Sequence, residues 1–458
     1  MARADTQTGG RNATAAIIPG DRCISVGKPL RDAANGWSWQ KLTDLARLES
    51  GHTPSRKVPE YWGGDVPWIG TRDATGNHGR EIFDTAERTN DLGIANSSAR
   101  ICPAGTICLS RTASVGYVVK MGRPMATSQD FVNWVCGDAL NPDFLKYALL
   151  SETRALRMFA VGSVHPTIYF PEVKAFHLCA PSRAEQDRIV SVLQPLDDKI
   201  ELNRRMNETL EAMARAIFKD WFVDFGPTLS KIEGRTPYLS SEIWALFPSK
   251  FDENELPEGW SSGTLIDIAD LNSEVWGAKH HPEAIDYVDL SNTKWGTIEP
   301  ATNLTWEEAP SRARRVLKSG DTIVGTVRPG NGSFAYVGAD GLTGSTGFAV
   351  LRPKQIAFRE ATWCAATSAS NIERLTHLAD GGAYPAVRPE LVGATEISLP
   401  SSAVMTQFSE SCRPLIQRVE ENKRESETLA ITRDLLLPKL MSGNIHIREA
   451  EIMVAAAA

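Results

Sequence analysis

The 458-residue chain is predicted to be α+β: two tandem globular units, each followed by a long helix, with the two helices pairing as an antiparallel coiled coil of pseudo-twofold symmetry. Three observations carry this reading. A Gly-Trp-Ser stretch recurs far along the chain, a heptad pattern recurs at nearly the same offset, and short apolar runs broken by Gly, Pro and Ser fill the sequence between.

The duplicated globular unit comes first. "GWSWQKLTDLARLESG" from Gly36 and "GWSSGTLIDIADLNSE" from Gly259 pair Leu42 with Leu265, Asp44 with Asp267, Ala46 with Ala269 and Leu48 with Leu271 at a constant offset of 223. "PAGTICLSRTASVGYVV" from Pro103 resembles "KSGDTIVGTVRPGNGSFAYV" from Lys318: a turn, an apolar strand, an Arg-bearing loop and a second strand. Both halves then reach a G-x-x-x-P loop, "GSVHP" (Gly162 to Pro166) and "GGAYP" (Gly381 to Pro385). Runs such as "TICLS", "DTIVGTV" and "FAVL" read as strands and Pro142 to Phe159 as helix, hence α+β.

The first long helix is expected to start near Ser182, where Glu185 three residues on completes a capping box. From there Ile189, Leu193, Leu196, Ile200, Asn203, Asn207, Leu210, Ala214, Ile217 and Trp221 alternate spacings of four and three, a heptad seam. The same positions plus 219 give a second seam that includes Phe408, Cys412, Leu415, Val419, Asn422, Leu429, Leu436 and Leu440. Two seams of this length, each roughly 50 Å at about 1.5 Å per residue, bury their apolar faces most simply on one another. The residues expected to pair are Ile200, Asn203, Leu210 and Ile217 with Val419, Asn422, Leu429 and Leu436. An antiparallel arrangement brings Asn203 near Asn422, where a buried polar pair fixes register. Pro195 and Pro414 each remove a helical hydrogen bond and mark a kink or a true start.

The resulting division is a flexible extension over 1–35, a first globular domain over 36–181 and the central helix over 182–225. A linker over 226–258, a second domain over 259–400, the distal helix over 401–445 and a tail over 446–458 follow.

Composition narrows the function. With 42% hydrophobic residues the chain buries real cores, yet no run approaches the length of a membrane span and no signal-peptide layout opens it, so a cytoplasmic protein is expected. Seven scattered cysteines without a CxxC pair read as buried thiols. The net charge of -7 is unlike that of a general nucleic-acid binder, but it is unevenly spread. Residues 37–180 carry 15 basic against 14 acidic side chains, and residues 260–400 carry 12 against 16. Any basic face is therefore local.

Nearly all of the chain after residue 35 resembles a known family. "SGHTPSRKVPEYWGGDVPWIG" (Ser50 to Gly70) is similar to the opening motif of the specificity (S) subunits of type I restriction-modification systems, with His52 where a second Gly is usual. "AEQDRIVSVLQPLDDKIELNRRMNETLEAMARAIFKDWFVDF" (Ala184 to Phe225) resembles their central repeated helix and "LLLPKLMSG" (Leu435 to Gly443) their distal one. The resemblance implies a non-catalytic subunit for double-stranded DNA. Its two globular units would be target-recognition domains, each reading one half of a split, asymmetric sequence, with the paired helices as spacer. Two modification (methyltransferase) subunits would use S-adenosylmethionine, and restriction (translocase and endonuclease) subunits would use ATP and Mg2+. This chain itself would bind no cofactor and no metal.

The residues agree that chemistry belongs elsewhere. An adenine methyltransferase needs an Asn/Asp-Pro-Pro-aromatic motif around the flipped base, and the sequence has no Pro-Pro dipeptide. "NPDF" (Asn141 to Phe144) reads as a helix start. "SVGKP" (Ser25 to Pro29) has Pro where a phosphate loop needs Ser or Thr, and "GADGLTGSTG" (Gly338 to Gly347) lacks a strand-loop-helix setting. Glu172 and Lys174 lack the upstream acidic partner of a nuclease, and the adjacent His280 and His281 cannot share a helical face as metal ligands.

Base edges are read by Arg, Lys, Asn, Gln, Ser and Thr on loops, while other cations grip phosphate. In the first domain the candidates are Thr53, Ser55, Arg56, Lys57, Arg72, Arg80, Arg111, Ser114, Ser128, Gln129, Ser163 and His165. In the second they are Lys279, His280, Arg312, Arg314, Arg315, Arg328, Asn331, Ser333, Ser345, Thr346, Tyr384 and Arg388, with "SRARR" (Ser311 to Arg315) the densest basic cluster.

Overall fold

The computed structural model describes residues 12–379, 382 and 385–457. The chain divides into two compact units, one of residues 1–201 with 425–458 and one of residues 202–424. Both boundaries fall inside the long helices, Arg183–Phe222 and Ser402–Met441, and not at their ends. Each unit therefore owns half of each helix.

In unit 1 a mixed five-stranded sheet runs Ala46–Ser50, Phe131–Cys136, Ile107–Ser110, Val118–Met121 and Glu81–Ile82. A second sheet places Phe176–Ala180 between Ser38–Lys41 and Ile24–Val26, with Ile18–Pro19 outermost. A third places Trp62–Ile69 between Glu87–Thr89 and Ala126–Thr127. Unit 2 repeats this plan. Its strands Ala269–Leu271, Phe348–Pro353, Thr322–Gly325 and Phe334–Tyr336 follow the order of the first four in the large sheet, and Ser261–Thr264 pairs with Glu396–Leu399 as Ser38–Lys41 pairs with Phe176–Ala180. Ala284–Val288 lies between Thr302–Thr305 and Leu342–Ser345. The duplication read from spacing is thus also a duplication of topology.

Within each unit the helix halves run antiparallel. In unit 1, Ile189, Leu193 and Leu196 share a core with Leu429, Leu436 and Leu440, while Arg433 bonds Asp197 at 2.9 Å and Lys199 pairs with Glu425 at 3.2 Å. In unit 2 the ring of Phe408 packs against those of Phe222 at 4.9 Å, Phe218 at 5.9 Å and Trp221 at 5.9 Å. Apolar seam residues buried on one face and charges on the other are what the heptad spacing demands. Val419, Leu429 and Leu436 are buried, whereas Ile200, Leu210 and Ile217 keep partial exposure. Ser182 accepts the Glu185 N–H at 3.4 Å, but the Glu185 carboxylate turns to Arg188, so the cap is one-sided. Both helices continue through Pro195 and Pro414, and neither proline marks a start.

Three boundaries differ from the expected division. Residues 12–35 are not a loose extension: Ile24–Val26 pairs with Phe176–Ala180, and Cys23, Ile24 and Val26 are buried in the unit 1 core. The carboxylate of Glu152 accepts the N–H groups of Asp21, Arg22, Cys23 and Ile24 at 2.6 to 3.1 Å and fixes the turn before that strand. The expected linker forms helices Gly226–Ile232 and Ser241–Ala245 and buries Phe247 in the unit 2 core. The expected tail is helix Ile447–Ala457, with Ala450 buried in unit 1 and the distal long helix ending at Met441. All seven cysteines are free thiols, six of them buried.

Candidate nucleic-acid interface

Trp62–Ile69 and Ala126–Thr127 run parallel in unit 1, with Trp68 opposite Ala126 and Ile69 opposite Thr127. Parallel strands release the chain at the same end, so the segments that follow, Gly70–Asp73 and Ser128–Asp130, lie side by side; the Ser128 N–H bonds the Ile69 carbonyl at 3.0 Å. Between them opens a cavity of about 550 Å³ whose lining includes Thr53, Arg56, Arg72, Ser128 and Gln129. Five sequence candidates from three separate segments are thus brought together.

The groups in this groove are already oriented. Thr53 donates to the Gln129 side-chain carbonyl. Arg56 forms a two-pronged pair with Glu87 at 2.6 and 2.7 Å, and its guanidinium lies 4.5 Å from the Trp62 ring centre and 5.2 Å from that of Trp68. That pairing holds the Glu87 carboxyl below its usual range. Arg72 is exposed on the short helix Thr71–Gly76, and Ser55 and Lys57 are exposed beside the groove. Ser128 is 2% exposed and its hydroxyl bonds Asp130 at 3.2 Å, so Gln129, and not Ser128, is the presented member of that pair.

Other candidates in unit 1 are placed differently. Arg80 lies 3.9 Å from Glu201 in an ion pair beside the long helix. The Ser114 carbonyl accepts the Ser110 hydroxyl. Ser163 and His165 are exposed at the tip of a narrow loop closed by Val161 and Thr167. Arg111 is half-buried: its guanidinium rests 4.5 Å from the Phe170 ring centre and donates to the Gln129 main-chain carbonyl at 3.0 Å. It faces the protein where a DNA contact was expected.

Unit 2 has the same parallel arrangement, with Asp286, Tyr287 and Val288 opposite Leu342, Thr343 and Gly344. The side chains after these strands differ. Arg312 donates to the Tyr287 hydroxyl at 3.0 Å and to Asp289 at 3.3 Å, and its carbonyl accepts the N–H of the exposed Thr346 at 2.7 Å. Ser345 is buried. Arg314 lies 4.5 Å from the ring centre of Trp306, against which His281 stacks at 4.0 Å and 5°. Lys279 and His280 are exposed on the adjoining turn, Arg315 is half-buried, Arg328 and Arg388 are exposed on loops, and Asn331 is exposed at the end of the 3-10 helix Pro329–Asn331. Ser333 is 5% exposed and its hydroxyl donates to the Leu290 carbonyl at 3.0 Å. Tyr384 lies outside the described residues.

Glu87, Trp306 and Thr326 escaped the sequence reading. An acidic residue does not announce itself as part of a groove lined by candidate DNA-reading side chains, and Trp306 shows its place only through its partners. Thr326 shows its equivalence to Arg111 only in the fold, where each directly follows the corresponding strand, Thr322–Gly325 and Ile107–Ser110. The Asn141 of "NPDF" accepts the N–H groups of Asp143 and Phe144 at 2.8 and 3.3 Å and caps helix Pro142–Ser151. That is the role expected of a helix start.

Comparison with known proteins agrees with this geometry. Residues 35–212 match the type I restriction modification DNA specificity domain. The chain is 26% identical over 433 residues to the type I restriction enzyme MjaIX specificity subunit of Methanocaldococcus jannaschii, covering 90% of this chain and 94% of that protein. It is 25% identical to the HindI specificity subunit of Haemophilus influenzae, covering 89% and 99%. The crystal structure of a type I restriction-modification S subunit from M. genitalium shares the fold, with a TM-score of 0.51 and 17% identity over 90% of this chain and 98% of that one. Among the described residues no helix is long and apolar enough to cross a membrane.

Proposed function

We propose how this chain, a DNA specificity subunit of the type I restriction-modification family, reads its target: each unit takes one half of a split DNA sequence, and the halves differ. The observation that carries this is the pairing of one scaffold with two chemistries. The same parallel strands end in adjacent loops in both units, yet those loops hold Arg72 and Gln129 in one, beside Thr53 and Arg56, and Asp289 and Thr346 in the other, beside Arg312. Loops of different donor and acceptor pattern on matching frames select different base pairs.

On this reading the chain performs no catalysis. It works in the cytoplasm with two modification subunits, which hold S-adenosylmethionine, and with restriction subunits, which use ATP and Mg2+. The missing Pro-Pro motif and the capping role of Asn141 support this division of labour. The long helices act as the spacer that sets the gap between the halves.

Sequencing the methylated adenines of cells that carry this chain with its modification subunits tests the reading. It expects one motif in two unlike parts separated by an unspecified gap. A continuous or palindromic motif contradicts it.

A further inference from the structure

We propose that Arg111 and Thr326 are positioning residues that tie three loops of their own unit into one reading surface, without touching DNA themselves. This rests on the reading of each unit as the reader of one half-site.

A set of main-chain hydrogen bonds is repeated in the two units. After the strand Ile107–Ser110, the Arg111 N–H bonds the Asp130 carbonyl at 2.7 Å, and the Arg111 carbonyl accepts the Ile168 N–H at 2.8 Å. After the strand Thr322–Gly325, the Thr326 N–H bonds the Gly347 carbonyl at 2.8 Å, and the Thr326 carbonyl accepts the Val387 N–H at 2.9 Å. Two residues further on, Ala113 bonds the Pro166 carbonyl at 2.9 Å and Arg328 bonds the Pro385 carbonyl at 2.8 Å. Both donors have left-handed backbone, with φ of 59° and 47°, which non-glycine residues adopt at a cost only when their surroundings enforce it. One residue in each unit therefore joins its own loop to the reading loop after the parallel strand and to the segment that follows the G-x-x-x-P motif in sequence.

The side chains then reinforce the same link by different means. Arg111 spans to the Gln129 carbonyl at 3.0 Å while stacked on Phe170, and its Nε is closed off from solvent. Thr326 is 6% exposed and donates its hydroxyl to the Gly347 carbonyl at 2.8 Å. Arg111 is half-buried and Thr326 buried, so each side chain is turned onto its own unit. Each holds the main chain beside an exposed side chain, Gln129 in unit 1 and Thr346 in unit 2. A loop carrying a base-reading group must be held to a fraction of an ångström for its hydrogen bonds to discriminate.

The test uses the full chain with its modification subunits and duplexes carrying the methylated motif of the wild-type complex, each with one base pair changed. Affinities are measured over a series of salt concentrations. Arg111→Ala lowers discrimination in one half-site by about ten- to a hundredfold, comparable to the cost of a mismatched base pair, and leaves the other half intact. Thr326→Val does so in the other half, and Thr326→Ser retains wild-type discrimination. The slope of log affinity against log salt is unchanged in all of them, whereas loss of a phosphate contact would lower it by about 0.9. A lowered slope, loss in both halves from one substitution, loss in the same half from both, or full discrimination in Arg111→Ala and Thr326→Val overturns the proposal. If Arg111→Ala does not assemble, the Thr326→Val and Thr326→Ser pair decides it alone. Failure of the underlying reading shows separately, as a wild-type motif that does not fall into two parts.

Discussion

Asn422 donates its side-chain amide to the Oδ1 of Asn207 at 2.8 Å, and Asn203 donates to the Asn422 main-chain carbonyl at 3.4 Å. Asn203 and Asn422 are both fully buried. The expected meeting of Asn203 with Asn422 therefore exists, but the side-chain partner of Asn422 lies one helical turn along, so three asparagines form a ladder across the seam of unit 2. Sliding one helix by a turn would strand these amides in apolar surroundings. Asn422→Ala removes the donor to Asn207, and a loss on the order of 1–3 kcal/mol is expected in denaturant unfolding of the full chain. An unchanged midpoint contradicts a role in register.

Gln129 sits at the groove mouth with its amide oriented by Thr53. A Gln amide makes a two-pronged contact with adenine, and such a pair is worth about 1–3 kcal/mol of discrimination. Gln129→Ala is expected to relax the methylated motif at a single base pair of one half. Sequencing of methylated sites checks this, and a motif unaltered at every position contradicts it.

Glu87 holds the Arg56 guanidinium by both prongs. Glu87→Gln removes a negative charge from the groove and frees that fork, so affinity for unrelated DNA should rise and its salt dependence steepen by about one phosphate contact. Fluorescence anisotropy of the assembled complex on a non-target duplex reads both. Equal or weaker binding would show that Arg56 does not face DNA.

His78 accepts the Val118 N–H on Nδ1 at 3.1 Å, with Tyr117 edge-on at 5.3 Å. Burial of the inward side of the ring, with Arg433 and Arg157 nearby, holds its pKa below the usual value. A depressed pKa stabilises the fold above the unfolded value, and this contribution is lost as pH falls through the folded one. The thermal midpoint should therefore drop on going from about pH 7.5 to about pH 5.5 by more in the native chain than in His78→Asn, which keeps an acceptor but does not titrate. Equal drops contradict the assignment.

The parts legible in the sequence were those with a period. The seams around Leu193 and Leu436 repeat every seven residues, and the strands around Ile107 and Ile323 recur as copies. Ile24–Val26 was illegible because three residues carry no period, and its partners Phe176–Leu178 lie about 150 residues away. Its turn depends on the buried carboxylate of Glu152, which composition alone assigns to the surface. The candidate site was legible as residue types but not as directions. Arg111 and Gln129 are both polar loop residues in sequence, and only the ring of Phe170 and the stacked loops show that one faces inward and the other outward.

On the proposed reading, the two units take two half-sites across a gap set by the long helices. Inserting one heptad into both long helices, at the level of Asn203 and Asn422, adds about 10 Å of helix, or roughly three base pairs of DNA. Methylated-site sequencing of cells carrying this variant with the modification subunits should return both half-sites unchanged and the gap lengthened by about that amount. An unchanged gap between unchanged halves would contradict the account.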